Sequence, residues 1–433
     1  MSIKVAKFGG SSLADAAKIR NAIAIIEADP TRRYVVASAP GKRHNADVKI
    51  TDLLYRLYDQ RHGDYSQTIS TIRQRFEEIA AELEVSVDLA TEFTKIEHQL
   101  TSGVGVDYFA SRGEYLNSLL LATRLGWPLI DAAQIVRFDE TGVFQAVETD
   151  QLMKTGLTCE NRAVIPGFYG STASGVVRTF SRGGSDVTGA LVARAVGADV
   201  YENWTDVSGI LMADPRIVAS PKAIERISYT ALRGLAYLGA SVLHEDAINP
   251  VREKSIPINI RNTNRPSDEG TWIQGENPQF DSSHPAIIGL AAKTGYAAVT
   301  IKKAQMSGGP GCARLLGLFD QTGVVVELAL GSVDTWLVVV RVEPTQLDQI
   351  VANIGSAFHP DAVTVRSCLA LVGIVESGTI PRGCVVATLS RALVEANIEV
   401  HLLDSGAGDM HIIAIDEENH PEAIKAIYQA FTN

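Results

Sequence analysis

The sequence predicts a layered α/β domain followed by a βαββα unit that occurs twice, and three observations carry that reading. Short apolar strands ending in glycine turns alternate with helical segments from the N-terminus to about Thr263. A polar stretch from Asn264 to His284, rich in Pro, Gly, Ser and Asp, then interrupts the alternation and sets a domain break near residue 285. Beyond it the order of elements changes and repeats at a period of roughly 70 residues.

In chain order, Ile3 to Phe8 reads as a strand running into Gly9-Gly10-Ser11-Ser12, and Leu13 to Ala28 as a helix closed by Asp29-Pro30. Tyr34 to Ser38 repeats the pattern as a buried strand ending in Ala39-Pro40-Gly41, with a helix from about Thr51, so two parallel strands are expected. The charged helical stretch from Ser66 to Leu100 reads as an insertion, within bounds of about 60–110. A helix Tyr115 to Leu125, strands Pro128 to Asp131 and Arg162 to Phe168, and a helix Ser185 to Val196 continue the alternation. After the break come the strand Ala297 to Lys302, the helix Gly311 to Asp320, the strands Val324 to Leu330 and Trp336 to Val342, and a helix Leu347 to Phe358. The second unit runs Cys368 to Ile374, Gly383 to Ala396, Ile398 to Leu403, Met410 to Ile415 and Pro421 to Phe431.

Composition narrows the function. With 433 residues, 46% hydrophobic and 21% charged, and 36 Gly and 16 Pro, the chain is globular and excludes collagen-like, low-complexity and disordered classes. Its 39 basic against 50 acidic residues leave a net charge of −11, which argues against nucleic acid or an anionic membrane as partner. Cys159, Cys312, Cys368 and Cys384 form no CxxC pair, so neither a zinc site nor a disulfide framework is expected. No apolar run reaches the roughly 18 residues of a membrane span, and the first residues lack a signal-peptide h-region, so a cytoplasmic location is expected.

Four segments can carry chemistry. In Lys7-Phe8-Gly9-Gly10-Ser11-Ser12, adjacent glycines let backbone N–H groups approach an anion at a helix start, and Lys7 can neutralise a transferring phosphoryl group. The spacing is neither GxxxxGK[ST] nor GxGxxG, and the competing reading is a structural turn. In Thr179-Phe180-Ser181-Arg182-Gly183-Gly184-Ser185-Asp186, Arg182 is a fork donor beside a glycine nest, suited to carboxylate or phosphate; Ser185 or Asp186 acting as a helix cap is the alternative. The segment Thr205-Asp206 to Asp214-Pro215-Arg216 offers Asp206 and Arg216 to a nucleotide, whereas Asp214-Pro215 suits turn initiation. Ser111-Arg112-Gly113-Glu114 opens the helix from Tyr115, where an acidic residue is favoured by the helix dipole whatever its function.

Taken together and in this order, these segments with Ser38-Ala39 resemble the aspartate kinase family. The resemblance covers nearly the whole chain. It implies an amino acid kinase fold (a layered α/β/α sheet) over residues 1–285, then two ferredoxin-like ACT domains at 286–366 and 367–433 that can interleave. The implied activity is transfer of the ATP γ-phosphate to the β-carboxylate of L-aspartate, giving 4-phospho-L-aspartate at the entry to lysine, methionine and threonine synthesis. On this resemblance Arg182 clamps the α-carboxylate, Glu114 pairs with the ammonium, and Thr51 and Ser185 bind substrate with Asp186 orienting the reacting end. Lys7, Gly9, Gly10, Ser11 and Ser38 hold phosphates, Thr205, Asp206 and Arg216 the nucleotide, and Mg²⁺ bridges its phosphates; no protein metal site is implied. The same resemblance places a feedback amino acid, lysine or threonine, at Met306, Ser307, Gly309, Gly311 and Cys312, with Glu327 and Asp334 receiving its ammonium. It also implies a homodimer or dimer of dimers built on residues 286–433, in a monofunctional enzyme.

Two departures stand out: Ser241-Val242-Leu243-His244-Glu245 occurs where many members carry Lys-Val-Leu-His-Pro, and Leu211 where many carry tyrosine. The missing lysine motivates a competing reading, an amino-acid sensor with an inactive kinase half. Lys42 or Arg43 would then be the replacement cation in an active enzyme.

Overall fold

The structure is a computed structural model describing residues 2–181, 183–239, 243, 247–275, 284–302, 309–332, 334–342, 344–405 and 408–432; Arg182, Ser241, Met306 and Ser307 lie outside these. The chain divides into two compact units. One comprises Met1–Ile210, Ala223–Ala236 and Ser241–Pro278, the other Leu211–Lys222, Tyr237–Ala240 and Gln279–Asn433.

The first unit is built on a seven-stranded sheet in the order Ala163–Pro166, Arg32–Ala37, Lys4–Phe8, Val200–Thr205, Ile258–Asn262, Thr271–Ile273, Arg226–Ile227. The first five strands are parallel and Thr271–Ile273 runs antiparallel to its neighbour Ile258–Asn262. Their near-continuous burial reflects helices on both faces. Because side chains alternate, Ala6, Phe8, Val35 and Ala37 join one core with helices Ala16–Ala28, Ile50–Asp59, Ser66–Glu82, Leu89–Thr101 and Val106–Leu125. Lys7 takes the other face, where helix Gly184–Val196 packs. The two helices of the expected insertion, Ser66–Glu82 and Leu89–Thr101, meet through Phe76 and Phe93, and both rings are buried in that same core.

Three local expectations are corrected. The helix expected from Leu13 starts at Ala16, because Asp15 caps it by accepting from Lys18 N and Gly10–Leu13 forms a separate 3-10 turn. The helix expected from Tyr115 spans Val106–Leu125, which puts Glu114 in its middle and removes the helix-dipole explanation for that residue. Gly113 does not break this helix; it lets the helix approach the loop after the second strand, since a Cβ there would lie 2.7 Å from Ala39 Cβ. The strand expected at Pro128 to Asp131 is a single bridge, Leu129 to Val164, consistent with the proline lacking an N–H for the ladder.

The second unit carries a six-stranded antiparallel sheet in the order Val325–Gly331, Thr335–Arg341, Ile287–Lys302, Ala362–Glu376, Met410–Asp416, Val400–Asp404. With helices Gly309–Gln321, Pro344–Phe358, Arg382–Glu395 and His420–Thr432 the element order is βαββα twice. The two central strands are far longer than their apolar runs foretold, because they pair with one another from Ile287–Glu376 to Lys302–Ala362. A core of Val299, Ile301, Leu315, Phe319, Val338, Val340, Ile350 and Ile354 fills the first repeat. Segment Leu211–Lys222 joins this unit through Leu290 N to Met212 O (2.8 Å) and Lys222 N to Tyr428 Oη (2.9 Å). Among the described residues no helix is long and apolar enough to cross a membrane, and the four cysteines are unpaired.

Candidate active site

Parallel strands deliver their following loops to one edge of the sheet, and the chemistry-bearing segments of the first unit collect at those carboxyl ends. Gly9 follows the strand Lys4–Phe8 and donates to Trp204 O of the neighbouring strand (3.0 Å). Ser38, after Arg32–Ala37, donates to Phe8 O (3.2 Å), and its own carbonyl accepts from Asn117 Nδ2 (2.7 Å). Gly41 donates to Gly10 O (2.8 Å), and a Cβ on Gly41 would come within 2.6 Å of the Gly10 carbonyl carbon. Two loops therefore close on one another through glycine, leaving an arch of backbone around Gly9, Gly10 and Ser11. The positive end of helix Ala16–Ala28 does not meet this arch, being capped by Asp15.

Lys7 sits under the arch. Its Nζ lies 3.6 Å from where a Gly9 Cβ would stand, and it is 2.6 Å from Asp186 Oδ1. Asp186 comes from the first turn of helix Gly184–Val196, whose N-cap is Gly183 in the left-handed region with no side-chain cap bond. Neither Ser185 nor Asp186 is a cap, which corrects that alternative. Ser185 instead packs under Gly167, where a Cβ would approach its Oγ to 2.6 Å. Phe168, at φ 81°, is a bulky residue in left-handed backbone beside this turn, held by Thr188 Oγ1 accepting from its N–H and by its carbonyl accepting from Phe180 N.

Glu114 projects from the middle of Val106–Leu125 toward the loop after Ser38. It is buried, its carboxylate accepts from the Ala39 backbone N–H, and its Oε2 has no hydrogen-bond partner among the described residues. Burial pushes its pKa up to about 8, opposed by the Ala39 bond and by Arg112 two residues before it. That arginine lies over the rings of Tyr108 (4.6 Å), Tyr115 (4.7 Å) and Tyr169 (5.4 Å). Thr51 is half-buried in the first turn of Ile50–Asp59, next to Ile50, which packs against Gly113.

The remaining residues do not all gather here. Thr205 donates to Asp206, which is exposed at the end of its strand in the first unit. Arg216 belongs to the second unit, is 87% exposed and forks onto Asp214, whose Oδ1 also accepts Arg216 N–H. The turn reading of Asp214-Pro215 is the one this geometry supports, with Arg216 holding the Asp214 carboxyl below its ordinary range. Arg43 is no free replacement cation: it is engaged with Asp47 (2.9 Å) and Glu78 (3.5 Å).

In the second unit Gly309 and Gly311 lie inside helix Gly309–Gln321 rather than ahead of it, and Cys312 is half-buried in its first turn. Glu327 accepts from Tyr296 Oη (3.3 Å) and leaves Oε2 buried without a partner among the described residues; burial raises its carboxyl pKa. Asp334 is exposed and accepts from Thr335 Oγ1 (3.0 Å).

Two buried polar residues at the site escaped the sequence reading. Arg75 reaches from the insertion to Asp47 (2.8 Å), Gly41 O (2.6 Å) and Ala14 O (3.0 Å). Its signal is an arginine set among Ile72, Phe76 and Ile79 on an apolar helix face. Asn203 lies between Lys7 and Asp186, and its signal is an amide inside the buried strand Val200–Thr205.

An arch of amides over a buried lysine–carboxylate pair, beside a buried carboxyl with an open oxygen, can hold phosphate and an amino group together. Residues 2–262 match the amino acid kinase family. Aspartokinase 3 of Bacillus subtilis is 30% identical across 99% of this chain and 98% of its own length. The crystal structure of Clostridium acetobutylicum aspartate kinase is 40% identical, with a TM-score of 0.89 over the whole of both chains. Escherichia coli aspartokinase III has the same fold over the whole of both chains, at 23% identity and TM-score 0.76 with aspartate and ADP bound and at 24% and 0.74 with lysine and aspartate. The family match and the full-length likeness to aspartokinases place this chain in the aspartokinases of the amino acid kinase family.

Proposed function

We propose that this protein transfers the γ-phosphoryl group of ATP to the β-carboxylate of L-aspartate, works in the cytoplasm, and is restrained by lysine or threonine bound to its second unit. The observation that carries the reading is Glu114, a buried carboxyl whose Oε2 faces no partner among the described residues. An ammonium supplies the missing donors and favours the ionised form that burial opposes. The β-carboxylate is already ionised at neutral pH, so no general base is needed, and positioning with charge stabilisation is the whole task.

Gly10 and Ser11 offer backbone N–H groups to the nucleotide phosphates, while Gly9, whose own N–H is held by Trp204 O, keeps the approach free of a side chain, which fits ATP. Mg²⁺ enters with the nucleotide as part of the substrate and neutralises its phosphate charge. Lys7 stabilises charge on the transferring group, and Asp186 holds Lys7 in place. Thr51 and Ser185 flank the aspartate, with Arg182 as the partner of its α-carboxylate. Thr205 and Asp206 serve the nucleotide, and Glu327 the ammonium of the feedback amino acid. The protein assembles as a homodimer or dimer of dimers through its second unit.

The test is ADP release by the purified protein with Mg-ATP and L-aspartate, with and without lysine or threonine. Aspartate-dependent turnover suppressed by one of the two is expected. Binding of lysine or threonine without any turnover would instead mark an amino-acid sensor.

A further inference from the structure

Lys7 and Asn203 are register partners on adjacent parallel strands, so their side chains rise from the same face of the sheet toward helix Gly184–Val196. Asn203 is 3% exposed, in a strand position where an apolar residue would ordinarily pack. Both ends of its amide are engaged: Nδ2 donates to Asp186 Oδ1 (2.9 Å) and Oδ1 accepts from Lys7 Nζ (3.4 Å). The orientation of that amide is dictated, since an ammonium only donates and a carboxylate only accepts.

We infer that Asn203 is a positioning residue for phosphoryl transfer: it clamps Lys7 Nζ and Asp186 Oδ1 in one geometry and leaves the remaining ammonium protons of Lys7 for the transferring phosphoryl group. The ion pair alone, at 2.6 Å, fixes a distance but not the rotation of the carboxylate. The amide supplies the second point of attachment on Oδ1, and Tyr201 Oη, donating to the Asp186 carbonyl (3.0 Å), holds the backbone of the same residue. Among the described residues no donor reaches Oδ2. The clamp also keeps Nζ beneath the Gly9 turn, where the arch directs a phosphate.

This inference rests on the phosphoryl-transfer reading above, and the wild-type assay separates the two. If the wild-type protein releases no ADP with aspartate, that reading fails. If the wild type turns over, the Asn203 variants judge the clamp. Asn203→Leu keeps the shape and removes both bonds; kcat is expected to fall at least about tenfold while the KM values for aspartate and ATP stay within about threefold, because a misplaced charge costs the transition state more than ground-state binding. Asn203→Asp keeps an oxygen for Lys7 but sets a second carboxylate against Asp186. Its kcat is expected to recover on acidification, as the introduced carboxyl takes up a proton and donates to Asp186, a trend absent from the wild type and from Asn203→Leu. Thermal melting confirms folding, and Asn203→Ser, too short to bridge both groups, replaces the leucine variant if that one does not fold. Wild-type kcat in folded variants, or a rise in both KM values at unchanged kcat, would overturn the positioning role.

Discussion

Lys7 Nζ and Asp186 Oδ1 stand 2.6 Å apart, although one residue lies in the first strand and the other in the first turn of a helix in the second half of the kinase unit. Both are largely buried, so neither can lose its partner cheaply. Lys7→Met should lower kcat by roughly 10²- to 10³-fold, the scale for removing one group that stabilises transition-state charge. Steady-state kinetics check it, and a kcat near the wild-type value would remove Lys7 from the reaction.

The raised pKa of Glu114, about 8, has two consequences of known sign. In the empty protein the carboxyl keeps its proton at pH values where the unfolded chain, at 4.5, has lost it. Stability should therefore fall as pH rises from about 4.5 to about 8, and Glu114→Gln should flatten that slope in melts across the range.

In the proposed function the aspartate ammonium pairs with ionised Glu114, so kcat/KM for aspartate should rise toward pH 8 and level off above it. Glu114→Gln should abolish the rise and increase the aspartate KM roughly tenfold to a hundredfold, the loss of one charge-assisted bond. A rate profile at subsaturating aspartate reads both effects.

The glycine contacts predict different failures for the same change. Gly41→Ala would press a methyl onto the Gly10 carbonyl, which belongs to backbone and cannot swing aside, so the ATP KM should rise with little change for aspartate. Gly113→Ala meets the Ala39 side chain inside a packed core and should destabilise by about 1–3 kcal/mol. Kinetics for the first and chemical denaturation for the second distinguish them.

Arg75 ties helix Ser66–Glu82 to the loops at Ala14 and Gly41 through two carbonyls and Asp47. Arg75→Met should raise the ATP KM and lower stability by about 3 kcal/mol, since two buried carbonyls lose their donor. Unchanged ATP affinity would show that the loops hold their shape without the insertion.

Glu327 in the second unit leaves a buried Oε2 without a partner among the described residues, and the proposed function gives it an effector ammonium. Glu327→Gln should leave basal turnover intact and raise the concentration of lysine or threonine needed for half-inhibition roughly tenfold or more. Inhibition curves check it.

Much of the fold was legible because local pattern and tertiary role agree. A strand such as Tyr34 to Ala37 is buried on both faces and so reads as a continuous apolar run. Helix limits were legible only where chemistry marks them. Gly113 looked like an opening to a helix because glycine is a poor helix former, and only the loop at Ala39 shows why a glycine is needed in its middle. The lengths of Ile287–Lys302 and Ala362–Glu376 likewise follow from their pairing with one another, which no single window contains.

By itself the sequence determined the layered α/β domain, the twice-repeated βαββα order and the residue types able to hold phosphate and an amino acid. Those depend on period, glycine placement and side-chain chemistry, all of which are local. Tertiary structure alone decided that Asp186 pairs with Lys7 instead of capping its helix, that Asn203 joins them, and that Arg75 reaches the Gly41 loop. It also decided that Leu211–Lys222 packs with the second unit. A carboxylate or amide in a chain has many equally good local partners, and only the packing of distant strands and helices selects one by excluding water from the rest.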